Sequence, residues 1–267
     1  MNQVVLITGG SSGIGKAIGE FLHHKGFVVY GTSRNPDKIT NSIFPLLALD
    51  VRNTESIAHA VAEVIRVSGR IDIVINNAGV GITGPLEEIP TSEIKANFET
   101  NFFGPIEVMK AVLPQMRKQR SGLIINITSI AGYMGLPYRS VYSASKGALS
   151  IITEALRMEV KSFGIQITDV APGDFATNIA SGRYHAPVVA GSAYEIPYQN
   201  TLNMMDEHVD SGSNPEEMAQ AICAIIQNPK PNVHYKVGLF MQKFSIVLKR
   251  TLPDKVYEKL LMNHYKL

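Results

Sequence analysis

The chain has 267 residues, of which 45% are hydrophobic and 18% are charged, and its formal net charge is +2 at pH 7. This length suits one α/β domain, residues 1–267, and so slight a basic balance gives no reason to expect a nucleic-acid partner. The single cysteine, Cys223, excludes a disulfide framework and is predicted to be a small core residue. No apolar run reaches the roughly 18 residues that cross a bilayer, and the chain opens without a signal-peptide pattern. We therefore expect a cytoplasmic protein without a transmembrane segment.

The N-terminal stretch is predicted to fold as a strand, a glycine turn and a helix. Val4–Ile7 is a short apolar run, and Thr8-Gly-Gly-Ser-Ser-Gly-Ile-Gly15 follows it directly. In that context Gly9, Gly13 and Gly15 permit a tight turn, approach of backbone N–H groups to a pyrophosphate, and close helix packing. The stretch favours a dinucleotide-binding turn, although by itself a glycine-rich turn without a ligand also fits it.

The end of the second predicted strand, residues 27–30, bears on the choice of cofactor. It leads into Gly31-Thr-Ser-Arg-Asn35, where a dinucleotide fold places the residue that contacts the adenosine ribose. No acid stands there to accept from a 2′-hydroxyl, whereas Ser33 and Arg34 offer donors that suit a 2′-phosphate. The stretch therefore predicts NADP(H) as the preferred cofactor, with NAD(H) still possible and a solvated loop cation as the alternative for Arg34.

Two further strands are predicted to end in polar residues. Residues 46–49 close on Asp50, and residues 71–75 run into Asn76-Asn-Ala-Gly79. Doubly wound sheets bind ligands at the carboxyl ends of their strands, so both stretches are candidates for the same site. For Asp50 an acid that caps the next helix, predicted over residues 54–67, is an equally good interpretation.

A long helix is predicted over residues 92–118, and a fifth strand over residues 122–128. The helix is expected to run unbroken past Asn101 and to bend late at Pro114. A mid-helix asparagine such as Asn101 ordinarily faces solvent. The strand ends at Ser129, thirteen residues before Tyr142, so its hydroxyl can return to the same place as that phenol.

The stretch Tyr142-Ser-Ala-Ser-Lys146 puts a phenol and an ammonium on one face of a predicted helix. A cation about 4 Å from a phenolate favours the ionised form by roughly 4 kcal/mol at an effective dielectric near 20. Such a phenol is suited to donate and accept protons near neutral pH. A tyrosine and a lysine at this spacing occur more often on an ordinary surface helix. The pair alone therefore does not establish a catalytic site, and the other motifs of the chain have to support it.

Beyond this helix the sequence predicts a sixth strand, over residues 164–170, and then a long stretch without periodicity. Residues 178–214 are predicted to form a structureless loop that serves as a substrate lid. Asn214 and Pro215 are the N-cap and first residue of a helix, and residues 232–237 are a candidate seventh strand. The extension over residues 239–267 is apolar, with a few lysines and arginines between the apolar residues. This pattern favours a core or subunit contact over contact with a membrane surface. The seven histidines show no metal-binding spacing.

Five motifs in this order resemble those of the short-chain dehydrogenases/reductases. They are Thr8-Gly-x-x-x-Gly-Ile-Gly15, Asn76-Asn-Ala-Gly79, Ser129, Tyr142-x-x-x-Lys146 and Pro172-Gly173. The resemblance covers residues 3 to about 237, and within the family the chain is most similar to the branch of 17β-hydroxysteroid and retinol dehydrogenases. It implies a single Rossmann-type three-layer domain with a doubly wound, seven-stranded parallel sheet and helices on both faces.

The resemblance also assigns residues. It implies a proton relay of Asn101, Ser129, Tyr142 and Lys146, with Asn101 holding a water. The histidine spacing separately predicts no metal site. The residues that it implies bind the cofactor are Gly9, Ser11, Ser12, Gly13, Ile14, Gly15, Ser33, Arg34, Asp50, Val51, Asn77, Ala78, Gly79, Tyr142, Lys146, Pro172, Gly173 and Thr177.

The resemblance further implies an oxidoreductase that interconverts a secondary alcohol and a ketone or aldehyde. Its branch implies a steroid-, retinoid- or lipid-like substrate, and the helices near residues 97–118 and 140–160 imply a homodimer or homotetramer. A non-catalytic dinucleotide-binding protein, a reductase of small polar carbonyls and a sugar-nucleotide epimerase remain alternatives. A non-catalytic protein would not need the serine, tyrosine and lysine together.

Overall fold

The computed structural model describes residues 2–175, 182–210 and 212–267, except the side chains of residues 206–210. Seven strands form one parallel sheet: β1 (Val4–Ile7), β2 (Val28–Ser33), β3 (Leu46–Ala48), β4 (Ile73–Asn76), β6 (Gly122–Ile127), β7 (Ile165–Pro172) and β9 (His234–Val237). Their order in the sheet is β3-β2-β1-β4-β6-β7-β9. The strand order reverses between β1 and β4, and this confirms the predicted doubly wound sheet.

Helices cover both faces of the sheet, as the buried, apolar strands require. On one face α1 (Gly13–His24) packs beside α7 (Pro215–Gln227), and Cys223 is buried there as predicted. On the other face α2 (Thr54–Ser68) and α4 (Gly104–Gln119) share one apolar core, against which α5 (Ser140–Val160) packs. These three layers confirm the predicted architecture.

The segment beyond β7 is more ordered than its sequence suggested. A short sheet joins β5 (Ile82–Thr83) to β8 (Tyr184–His185), and α6 spans Glu195–Asp210. The prediction of a structureless stretch over residues 178–214 is therefore wrong for α6 and β8. Tyr198 explains part of the order, because its buried hydroxyl donates to the carbonyls of Thr83 and Ala186 at 3.2 and 3.0 Å.

The C-terminal extension forms two helices, α8 (Phe240–Thr251) and α9 (Asp254–Tyr265). Ile246 and Tyr257 are buried in a cluster with Met134, so one face of the extension is core, as predicted. Among the described helices, none is both long enough and apolar enough to span a membrane.

Candidate active site

A cavity of about 630 Å³ opens at the carboxyl ends of the central strands. Its wall includes the glycine turn, the end of β2 and part of the helix α5. Residues that are far apart in sequence therefore line one cleft. The predicted cofactor residues in its lining are Gly9, Ser11, Ser12, Gly13, Ile14, Ser33, Arg34, Asp50, Val51, Asn77, Ala78, Gly79, Tyr142, Lys146 and Pro172. Thr177 lies outside the described residues.

The glycine turn between β1 and α1 requires glycine for two different reasons. Gly9 and Gly13 have φ angles of 65° and 52°, a backbone region that favours glycine. Gly15 lies behind the turn and does not line the cavity. A Cβ atom at Gly15 would collide with the Gly9 carbonyl and the Asn77 side chain. Its lack of a side chain therefore lets α1 approach the strand ends closely.

Thr8 and Asn77 fasten the glycine turn to the end of β4. The Thr8 hydroxyl oxygen accepts from the backbone N–H groups of Asn77 and Ala78 at 3.0 and 3.1 Å. In return the Asn77 side-chain amide donates to the carbonyls of Thr8 and Gly9 at 3.0 and 3.1 Å. Two predicted motifs thus form one rigid wall, and sequence analysis missed this role of Thr8.

Two guanidinium groups line the far end of the cavity. One is Arg34, as predicted, and the other is Arg52, which sequence analysis missed. Arg52 donates to both carboxylate oxygens of Asp50 at 3.0 and 2.7 Å. The hydrogen bond from Arg52 lowers the pKa of Asp50, which stays ionised. The spacing Asp50-x-Arg52 after a strand was the available signal.

Asn101 lies in a π-helical segment, Glu99–Phe103, between α3 (Thr91–Phe98) and α4. The prediction of one regular helix is therefore wrong at this point. Asn101 is fully buried, which also contradicts the ordinary solvent-facing interpretation. Its amide accepts from the Val80 N–H and donates to the Val80 carbonyl, both at 2.8 Å. Asn101 therefore holds the backbone just after Gly79 and does not line the cavity.

Lys146 is buried beside the same backbone. Its ammonium donates to the Ile127 carbonyl at 2.9 Å, and burial lowers its pKa to about 8. A Cβ at Gly79 would stand 3.2 Å from both Lys146 Nζ and Asn101 Oδ1. The structure thus brings three separately predicted motifs to one point, the end of β4.

A smaller cavity of about 70 Å³ adjoins the first. Ser129 and Gly173 line this second cavity, and Tyr142 and Pro172 line both cavities. The Ser129 oxygen accepts from the Ala131 N–H at 3.2 Å, an arrangement that leaves the hydroxyl hydrogen to donate elsewhere. Tyr142 therefore stands where a bound dinucleotide and a second molecule would meet.

Charged groups that sequence analysis missed surround this junction. Arg139 lies over the Tyr142 ring, 5.5 Å from its centroid; burial raises the pKa of Tyr265 of α9, and the charge of Arg139 partly opposes that rise. Asp174 lines the second cavity, and its carboxylate accepts from the Gln242 side chain of α8 at 2.8 Å. The C-terminal extension thus supports the second cavity, and no local motif could have indicated these contacts.

The chain is similar to known proteins in both sequence and fold. The family model for short chain dehydrogenase matches residues 3–187. A 3-ketodihydrosphingosine reductase from Bacteroides thetaiotaomicron is 40% identical over 264 residues, which is 98% of each chain. A short-chain dehydrogenase from Streptomyces avermitilis superposes with a TM-score of 0.84 at 30% identity, covering 100% of this chain and 96% of that one. ElxO, solved with NADP bound, has a TM-score of 0.72 at 26% identity, covering 89% and 97%.

Proposed function

The chain belongs to the short-chain dehydrogenase family, and we propose that it reduces a ketone on a long, apolar molecule with NADPH as the hydride donor. One observation carries the proposal. Tyr142 lines both cavities, with Lys146 in the wall of the first and Ser129 in the wall of the second. A phenol at that junction can reach the oxygen of a carbonyl whose carbon faces the cofactor.

The first cavity fits a nicotinamide dinucleotide. The glycine turn leaves room for a pyrophosphate at the N-terminus of α1, and Arg34 supplies positive charge where a 2′-phosphate would lie. Arg52 lines the same end, with its charge balanced by Asp50. The NADP bound by ElxO supports the same choice. When bound, the nicotinamide supplies the hydride.

The chain's own residues orient the carbonyl and supply the proton. Ser129 donates its free hydroxyl hydrogen to the carbonyl oxygen, and Tyr142 gives that oxygen a proton as charge develops on it. Lys146, held by the Ile127 carbonyl, favours the ionised phenol left behind. Asn101 positions these groups indirectly by fixing Val80. The family resemblance implies that Asn101 also holds the water of the proton relay.

The second cavity favours a substrate with both polar and apolar parts. Ile14, Ile82 and Phe175 give it apolar walls, whereas Asp174 and Arg139 give it charge. The Bacteroides relative is named for 3-ketodihydrosphingosine, a long-chain ketone with an amino group beside the carbonyl. We assign Asp174 to an ammonium at that position, because a carboxylate bonds such a cation strongly.

The proposed enzyme is a homo-oligomer that pairs through α4 and α5. Large apolar side chains are exposed on this side of the molecule, including Phe103, Ile151 and Met158. Exposed apolar area of this kind is typical of a subunit contact.

An NADPH-consumption assay tests the proposed function directly. The panel contains 3-ketodihydrosphingosine, a long-chain ketone without the amino group, a steroid ketone, a retinal and small polar ketones. We expect the highest kcat/KM with the amino ketone and a lower value with NADH. Activity confined to small polar ketones would contradict the proposed substrate class, and cofactor binding without turnover of any member would favour a non-catalytic role.

A further inference from the structure

The outer face of α8 is an apolar surface that the described residues leave uncovered. Phe240 is 72% exposed, and the rings of Phe240 and Phe244 stack with their centroids 5.7 Å apart. The α8 stripe consists of Leu239, Phe240, Met241, Phe244 and Val247, all of them exposed. A contiguous group of large apolar side chains on a surface helix marks an interaction site.

The extension that carries this stripe is strongly basic. Residues 239–267 include six lysines and arginines and two acids, a net charge of +4, although the whole chain has a net charge of only +2. The remainder of the chain is therefore slightly acidic. Positive charge concentrated around exposed phenylalanines is the pattern of a helix that lies on an anionic lipid surface.

We infer that the α8 stripe binds the surface of an anionic membrane. The apolar side chains would enter the boundary between headgroups and acyl chains, while the surrounding lysines contact the headgroups. A second copy of this chain is a poor occupant, because a symmetric contact through α8 would bring two segments of charge +4 together. The exposed apolar side chains of α5 offer the chain a separate surface for self-association.

The opposite face of the same helix contacts Asp174, which lines the second cavity. Gln242 is two residues from both Phe240 and Phe244, a rotation of about 200° around a helix, so it points the other way. Its side chain accepts from the Asp174 N–H at 3.3 Å and donates to the Asp174 carboxylate at 2.8 Å. A membrane bound to α8 would therefore lie one helix diameter from the substrate cavity. The inference about the surface does not depend on the substrate's identity.

The chain contains no tryptophan, so a single introduced indole reports on this surface alone. Phe244→Trp is mixed with phosphatidylcholine vesicles, with and without about 30% phosphatidylglycerol. We expect a blue shift of the emission with anionic vesicles that weakens as salt is added. Val67→Trp, an exposed position on α2 outside the proposed subunit contact, is the matched control and should show no shift. An unshifted emission from the Phe244→Trp variant with both kinds of vesicle would overturn the inference, and so would an equal shift with both.

Two further variants separate the apolar and the charged contributions in a vesicle co-sedimentation assay. Phe240→Ser/Phe244→Ser and Lys255→Glu/Lys259→Glu should each reduce binding to anionic vesicles at least tenfold. Turnover of a water-soluble ketone should stay within twofold of wild type in both, so failure of the proposed function is measured separately. Light scattering measures whether the Phe240→Ser/Phe244→Ser variant still forms the oligomer of the wild-type protein. Loss of a dimer in the serine variant, without any change in vesicle binding, would assign the stripe to a second copy and overturn the membrane inference.

Discussion

The two cavities of the cleft are built in different ways. The walls of the first are mainly backbone and small residues, fixed by bonds such as those between Thr8 and Asn77. Charged side chains from distant segments shape the second: Arg139 and Asp174 line it, and Gln242 of the C-terminal extension holds Asp174. A cofactor shared by a whole family favours the first construction, whereas a substrate specific to one protein favours the second.

Tyr142 stands between the cavities, and its loss should have the largest effect. We expect Tyr142→Phe to lower kcat about 10³-fold, because the general acid is removed, while the Kd for NADPH changes little. Stopped-flow turnover and fluorescence titration of NADPH measure the two quantities. Tyr138→Phe, which removes a nearby phenol outside both cavities, is the control. Loss of NADPH binding in the Tyr142 variant would assign the tyrosine a structural role.

Lys146 should support turnover while its buried charge lowers the free energy of unfolding at neutral pH. The unfolded chain keeps this proton up to the ordinary pKa of 10.5, whereas the folded chain releases it at about 8. Between these values the unfolded state binds more protons, so the free energy of unfolding rises with pH, by up to about 3 kcal/mol from this group. Lys146→Met should abolish that contribution and lower kcat at least 100-fold.

Urea denaturation of the cofactor-free protein at pH 7 and pH 10 measures the contribution of Lys146. The exposed Lys118→Met variant is the control and should keep the wild-type rise in stability. The same rise in the Lys146 variant would mean that another group is responsible.

A substitution at Arg34 tests whether the far end of the first cavity selects NADPH over NADH. Arg34→Asp should lower the ratio of kcat/KM for NADPH over NADH by roughly 10- to 100-fold, since it removes a charge-assisted hydrogen bond to phosphate and adds repulsion. Lys38→Asp changes a neighbouring cation that does not line the cavity and should leave the ratio close to wild type. An unchanged ratio in the Arg34 variant would shift the role to Arg52.

A substitution at Asp174 tests whether the second cavity binds the amino group of the substrate, and its expected effect on the kinetics is the smallest of the four. Asp174→Asn should raise KM for 3-ketodihydrosphingosine roughly tenfold, because the amide cannot form a charge-assisted bond to an ammonium. Asparagine can still accept from Gln242, so the loop should stay in place. The same ketone without its amino group serves as the control substrate. An equal rise in KM for both substrates would show that Asp174 acts on loop structure alone.

The features that the sequence predicted correctly are those that depend on neighbouring residues, as in the walls of the first cavity. The parallel strands, the glycine turn and the burial of Cys223 follow from local patterns and were confirmed. Asn214 also caps α7 as expected, accepting from the Glu216 N–H at 2.9 Å. These features depend on hydrophobic periodicity, turn chemistry and capping, which act over a few residues.

The remaining features depend on contacts that no local pattern encodes. The π-helical segment at Asn101 exists where the amide bonds Val80, 21 residues away. Tyr198 in α6 is buried where its hydroxyl donates to the carbonyl of Thr83 in β5, 115 residues away. Asp174 meets Gln242 of α8, which lies 68 residues further along the chain. Tertiary contacts thus override weak local preferences in these regions.

The most direct test of the account is transfer of deuterium from the cofactor to the substrate. Wild-type protein is incubated with NADPH deuterated at nicotinamide C4, on the face from which it transfers hydride, and with 3-ketodihydrosphingosine, and the product is analysed by mass spectrometry. We predict an alcohol that carries one deuterium at the former carbonyl carbon, formed in proportion to the NADPH oxidised, and no such product with Tyr142→Phe. Tight NADPH binding by wild-type protein without deuterium in any product of the ketone panel would contradict the proposed hydride transfer.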